Sequence, residues 1–164
     1  MRCSFLSVLA LLSACGEPAV EGVGEVVQDF TAADSAGVEY RLHDFEGRVV
    51  LVEISAMWCP GCQELAPHTQ ELYETYGNDD FEILGVIFDN SAGDDPTPAN
   101  LDNWTNTFGL THPVLGDVGE AIQDSHGGAG QPTGLLIDRD LTVVWKATGS
   151  DVIEGIDAQL AELL

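Results

Sequence analysis

The chain has 164 residues, 45% of them apolar, with 28 acidic side chains against 5 cationic ones and a formal charge of -23. That length and apolar content suit one domain with an ordinary core. So acidic a surface repels nucleic acid and anionic lipid head groups, which excludes nucleic-acid binding and charge-driven attachment to membranes.

Residues 1–14 read as a leader. Arg2 is followed by an apolar run over residues 5–12 and then small residues, the tripartite plan of a secretory signal. The run is too short to cross a bilayer as a helix. Leu12-Ser13-Ala14-Cys15-Gly16 resembles a bacterial lipobox, so Cys15 is the expected lipid attachment site and Cys3 leaves with the leader. A cut elsewhere would leave Cys15 as a free thiol, a liability outside the cytosol. Cutting before Cys15 leaves Arg41, Arg48, Arg139 and Lys146 against the 28 acids, a charge of 4 - 28 = -24. The expected organisation is a signal over 1–14, a lipidated and flexible tether over 15–25, and a folded domain over 26–164.

Within the domain, residues 26–30 and 38–42 flank a glycine-containing turn and read as a β-hairpin. A buried strand over 49–54, a helix over 63–76 and a continuous apolar strand over 81–88 follow, which implies a βαβ crossover and a central parallel pair. Gly93, Asp94, Asp95, Pro96 and Pro98 are loop chemistry opening a helix over 99–108, an insertion between core units. Then come a short strand near 112–115, a helical segment near 118–125, a loop over 127–132, and strands at 135–137 and 143–147. Val152, Ile156, Leu160 and Leu163 recur at helical spacing in a closing helix, with Ser150 or Asp151 as its cap. The expected class is α/β: a central mixed sheet flanked by helices, with an N-terminal β-hairpin and a central αβ insertion.

The chemistry is concentrated in Trp58-Cys59-Pro60-Gly61-Cys62, at the junction of the first long strand and its helix. Two cysteines at this spacing can close a disulfide within one helical turn and open it again. Unpaired backbone N–H groups and the positive end of the helix dipole favour a thiolate on Cys59, the candidate nucleophile. Cys62, one turn further in, is placed to attack a mixed disulfide formed at Cys59. A zinc site would need two more ligands at comparable spacing, and no second cysteine pair exists, so no metal is expected. A static disulfide would remove little chain entropy from so short a loop. Glu53, six residues before Cys59 in an apolar strand, should have its pKa raised by desolvation. Unless it faces solvent and is idle, that would suit it to accept a proton, directly or through water. Trp58 reads as an exposed aromatic shaping the substrate surface. His68, His112 and His126 read as surface or packing residues.

These motifs, in this order, resemble the thioredoxin superfamily, and within it the TlpA-like, AhpC/TSA-related redoxin branch of tethered extracytoplasmic thiol-disulfide oxidoreductases. The resemblance covers about 26–164. It rests on the dithiol run, on Pro67 eight residues after Cys59, on Asp29-Phe30 with Leu42-His43-Asp44-Phe45-Glu46-Gly47-Arg48, and on Gln131-Pro132-Thr133 before Leu135-Leu136-Ile137-Asp138. It implies a thioredoxin-like fold and a cis bond before Pro132, holding the backbone of Gln131 beside the dithiol to meet an extended substrate segment. Gln131 stands where the family has a small or β-branched residue, and Glu53 stands where thioredoxins carry a buried, shorter aspartate near the resolving thiol, which implies that Glu53 accepts the Cys62 proton. Trp58, Pro60, Gly61, Gln131 and Pro132 are thereby the expected substrate-binding residues. The resemblance further implies no cofactor beyond the redox-active disulfide of Cys59 and Cys62, client proteins with cysteines or disulfides, and an upstream membrane thiol donor. It suggests a lipid-anchored monomer facing the periplasm of a bacterial cell envelope, a reductant of the kind used in cytochrome c maturation. Two other functions compete. A peroxiredoxin on this scaffold would carry threonine three residues before its cysteine, where this chain has Ala56. A tethered copper-handling protein would use the two thiolates as soft ligands, although copper-assembly proteins of this scaffold space their cysteines wider and add a histidine.

Overall fold

The computed structural model describes residues 22–78 and 80–164. The expected leader, Cys15 and all of the tether before Gly22 lie outside the described residues. The elements in chain order are β1 (Thr31–Ala33), β2 (Glu39–Arg41), a 3-10 turn (Leu42–Phe45), β3 (Val49–Ala56), α1 (Pro60–Tyr76), β4 (Phe81–Asp89), α2 (Pro98–Phe108), β5 (Val114–Gly116), α3 (Ala121–His126), β6 (Thr133–Ile137), β7 (Val143–Thr148) and α4 (Ser150–Leu163). The strands form one mixed sheet in the order β2-β1-β5-β4-β3-β6-β7. β3, β4 and β5 run parallel, while β6 pairs antiparallel with β3 and β7. This is the thioredoxin-like architecture, with α2 and β5 as the central αβ insertion.

β3 is buried along its whole length, as a central strand covered on both faces must be. Alternation sends Val50, Val52, Ile54 and Ala56 into a core shared with Leu84 and Val86. Val49 and Leu51 face the other way and pack with Leu72 of α1 and Ile156 and Leu160 of α4. The far half of that second face carries Glu53 and Ser55.

Two expectations are corrected. Residues 26–30 do not form the first hairpin strand. The pairing begins at Thr31, with Thr31 opposite Arg41 and Ala33 opposite Glu39. Val26 instead bridges Thr142, and Val27 N donates to the Leu141 carbonyl at 2.8 Å, so this apolar run packs along the turn into β7. The cap of α4 is neither Ser150 nor Asp151 but Gly149, whose φ of 64° makes the corner between strand and helix. Glycine reaches that conformation without a Cβ penalty, so the helix starts one residue before a side-chain cap could act.

Candidate active site

β3 ends at Ala56 and α1 starts at Pro60, so three residues carry the chain over the edge of the sheet. Cys59 is the N-cap of α1 and Pro60 takes the first helical position, where its missing N–H costs nothing. Cys59 N donates to Ala56 O at 3.1 Å, and Cys62 N donates to Cys59 Sγ at 3.2 Å. One orphan N–H of the helix start is thus aimed at the sulfur expected to act as nucleophile. The two sulfurs are not bonded to each other. Cys59 keeps 5% of its surface exposed and Cys62 none. Burial pushes the Cys62 thiol up, and its hydrogen bond with Cys59 adds to this. Hydrogen bonds from the Ala56 backbone and the Ser55 side chain act in the opposite sense.

Glu53 is 3% exposed and faces the dithiol helix rather than solvent. Burial raises its pKa above the usual carboxylate range, and hydrogen bonds with the Ser55 and Thr69 hydroxyls offset part of that rise. Ser55 Oγ donates to Glu53 Oε1 at 2.6 Å. Neither Ser55 nor Thr69 was singled out by sequence reasoning. The available signals were a serine two residues beyond an acid in an apolar strand, and a threonine two turns beyond Cys62 on the covering helix.

The Gln131-Pro132 bond is cis. The loop packs on the dithiol turn: a Cβ on Gly61 would lie 3.3 Å from Pro132 Cδ, a tight contact, and 3.8 Å from Gln131 O, an ordinary one. Thr133 Oγ1 ties the loop internally, accepting from Gly128 N at 3.0 Å and donating to Gly130 O at 3.2 Å. Gln131 Oε1 is buried without a hydrogen-bond partner. Trp58 is 48% exposed; its Nε1 donates to Asp89 Oδ2 at 2.8 Å and its ring meets Phe88 edge-on. The tryptophan is therefore anchored to the end of β4. Beside it, Met57, Gln63, Asn103, Trp104 and Phe108 line a groove of about 220 Å³ between α1 and α2. Larger clefts lie against residues 22–28 and 145–151, and no cysteine lines them.

The histidines have structural partners. His68 Nε2 lies 3.2 Å from Asp157 Oδ2, joining α1 to α4, and His126 Nε2 lies 2.7 Å from Gln28 O. His112 is buried edge-on to Tyr73. Among the described residues no group of three or more His, Cys, Asp or Glu side chains is placed to hold a metal ion, and no helix is long and apolar enough to cross a membrane.

The AhpC/TSA family model matches residues 23–146. The thiol-disulfide oxidoreductase ResA of Geobacillus kaustophilus (strain HTA426) is 30% identical over 172 residues, covering 99% of this chain and 94% of that protein. ResA of Geobacillus thermodenitrificans (strain NG80-2) is 30% identical over 165 residues, covering 95% and 91%. The pneumococcal exposed lipoprotein thioredoxin Etrx1 of Streptococcus pneumoniae strain TIGR4 superposes with a TM-score of 0.69 at 29% identity, over 83% of this chain and all of that one. A Chlorobium tepidum structure described as a thiol:disulfide interchange protein DsbE gives 0.74 at 23% identity, over 87% and 98%, a likeness of fold.

Proposed function

This chain belongs to the AhpC/TSA family and is a thiol-disulfide oxidoreductase, and we propose that it reduces disulfides of client proteins in the bacterial cell envelope, held to the membrane by a lipid on Cys15. The observation that carries the reading is the asymmetry of the pair. Cys59 stands at a helix N-cap with a backbone donor on its sulfur, while Cys62 is sealed beneath it next to hydrogen-bonding side chains.

The Cys59 thiolate attacks one sulfur of the client disulfide, and the other client sulfur departs as a thiolate. Cys62 then gives up its proton, for which Glu53 is the base, and attacks Cys59 Sγ. That step closes the disulfide of the pair and frees the second client sulfur. Two electrons have passed to the client, and a thiol donor in the membrane restores the pair. Burial suits Glu53 to this task because a raised pKa makes a carboxylate a stronger base once it is ionised. Trp58, Pro60, Gly61 and the Gln131-Pro132 backbone form the surface that the client meets, and extended client backbone can lie along the cis-proline loop.

Charge supports the direction that the resemblance suggests. The formal charge of -23 opposes the thiolate that an oxidant of this class stabilises in its reduced form. The lipobox-like Leu12–Gly16 run supports a surface-tethered protein, as does the similarity to an exposed lipoprotein thioredoxin. The test is the reduction potential of Cys59 and Cys62 in defined thiol buffers, on the full chain carrying Cys3→Ser and Cys15→Ser. A value at or below about -250 mV is expected of a reductant, and one of about -120 to -180 mV would make the protein an oxidant or isomerase and contradict the reading.

A further inference from the structure

Ser55 is fully buried near the end of a strand that is otherwise apolar apart from Glu53. A hydroxyl taken out of water costs roughly 1–3 kcal/mol unless it is bonded. This one donates to Glu53 Oε1 at 2.6 Å, and its hydroxyl also acts on the Cys62 thiol, favouring the thiolate. Strand geometry makes the alignment. Glu53 and Ser55 are two residues apart, so they share the face that α1 covers, and Cys62 lies in the first turn of that helix. The groups that act on the Cys62 thiol are Cys59, the Ala56 backbone and Ser55, and Glu53 is not one of them.

A serine hydroxyl holds one proton and two acceptor lone pairs. With its proton directed at Glu53, the Ser55 oxygen can only accept from the Cys62 S–H; once it has taken that proton it donates to the thiolate, the sense in which it lowers the Cys62 pKa. Thr69 on the covering helix, whose proton goes to the Ala66 carbonyl at 2.9 Å, also acts on the carboxylate and lowers its pKa. We propose that Ser55 is the proton relay of the resolving step, passing its own proton to Glu53 as it takes the proton of Cys62. The relay rests on the exchange reading above and specifies its second half. As the proton leaves Cys62, the Cys62–Cys59 sulfur bond forms, the bond from Cys59 to the client breaks, and the client sulfur departs with the electron pair. Glu53 is left neutral. When an external dithiol next reduces the pair, Cys62 leaves as a thiolate and recovers its proton from Glu53 by the same path.

The two halves of the reaction separate in time when the reduced full chain, carrying Cys3→Ser and Cys15→Ser, meets Ellman's disulfide in a stopped-flow instrument. Attack by Cys59 releases the first equivalent of chromophore, and attack by Cys62 releases the second. Ser55→Ala should leave the first rate unchanged and slow the second at least about tenfold, short of the full range for general acid–base catalysis. Glu53→Gln should slow the same phase, and the double variant should be no slower than the worse single one, because both lie on one path. A second phase unaffected by Ser55→Ala would overturn the relay. So would equal slowing of both phases, the mark of a structural fault, or effects that multiply in the double variant. If the parent chain released neither equivalent, the exchange reading would fall and the relay with it.

Discussion

Val49 and Leu51 lie on the same face of the same strand as Glu53 and Ser55, under the same helix, yet the two pairs do opposite things. The first pair packs with Leu72, Ile156 and Leu160 in a dry cluster. Burial of side chains of this kind stabilises the fold by roughly 1.5–3 kcal/mol each. The second pair is equally buried but polar, and the carboxylate accepts a hydrogen bond from the serine beside it. Burying a carboxylate works against folding. The lesson is one of position. The face is apolar where β3 enters the sheet and polar where it leaves it, three residues before the dithiol, so stability and chemistry are divided along a single strand.

Substitutions at either end should therefore separate the two properties. Leu51→Ala should cost about 2–5 kcal/mol of unfolding free energy, as large-to-small changes in a packed core do, and leave the exchange rate per folded molecule unchanged. Thermal melts and a rate normalised to folded protein check both halves. His112 belongs with the structural end, buried against Tyr73 of α1. Burial pulls its imidazole from 6.5 down to about 4, so between those values the unfolded chain binds more protons than the folded one. The stability that this histidine confers is present above pH 6.5 and is lost as pH falls toward 4, by at most about 3 kcal/mol. His112→Leu should flatten that acid limb in pH-dependent melts without altering thiol exchange.

The dithiol and its helix were legible because they are local: a spacing of two residues, a proline at the first helical position, an apolar run on either side. Pro132 and Glu53 were legible through a resemblance that ties distant segments to the dithiol. Ser55 was not, since a serine in an apolar strand acquires a role only when α1 folds over it and brings Cys62 to its oxygen. The anchor of Trp58 is Asp89, 31 residues away at the end of another strand, and nothing near Trp58 in the chain announces it. The N-terminal hairpin was misplaced because residues 26–30 have the composition of a strand, and where pairing begins is decided by the competing edge at Leu141 to Val143. The start of α4 was misread for a related reason. Ser150 and Asp151 are both good caps, and the positive φ of Gly149 takes precedence.

Glu53→Gln tests the division most directly, with unfolding free energy and the rate of the resolving step measured on the same variant across pH. Burial raises the pKa of Glu53, so its contribution to stability is full below the ordinary carboxylate value of 4.5 and is lost as pH rises through the folded value. Glutamine escapes that loss. The variant should gain on the parent with rising pH, by about 1.4 kcal/mol for each unit that separates the folded from the unfolded pKa, while resolution slows about 10- to 100-fold. A variant that is less stable at neutral pH and resolves at the parent's rate would contradict the account, since Glu53 would then be a structural residue and the polar half of the face would have no chemical purpose.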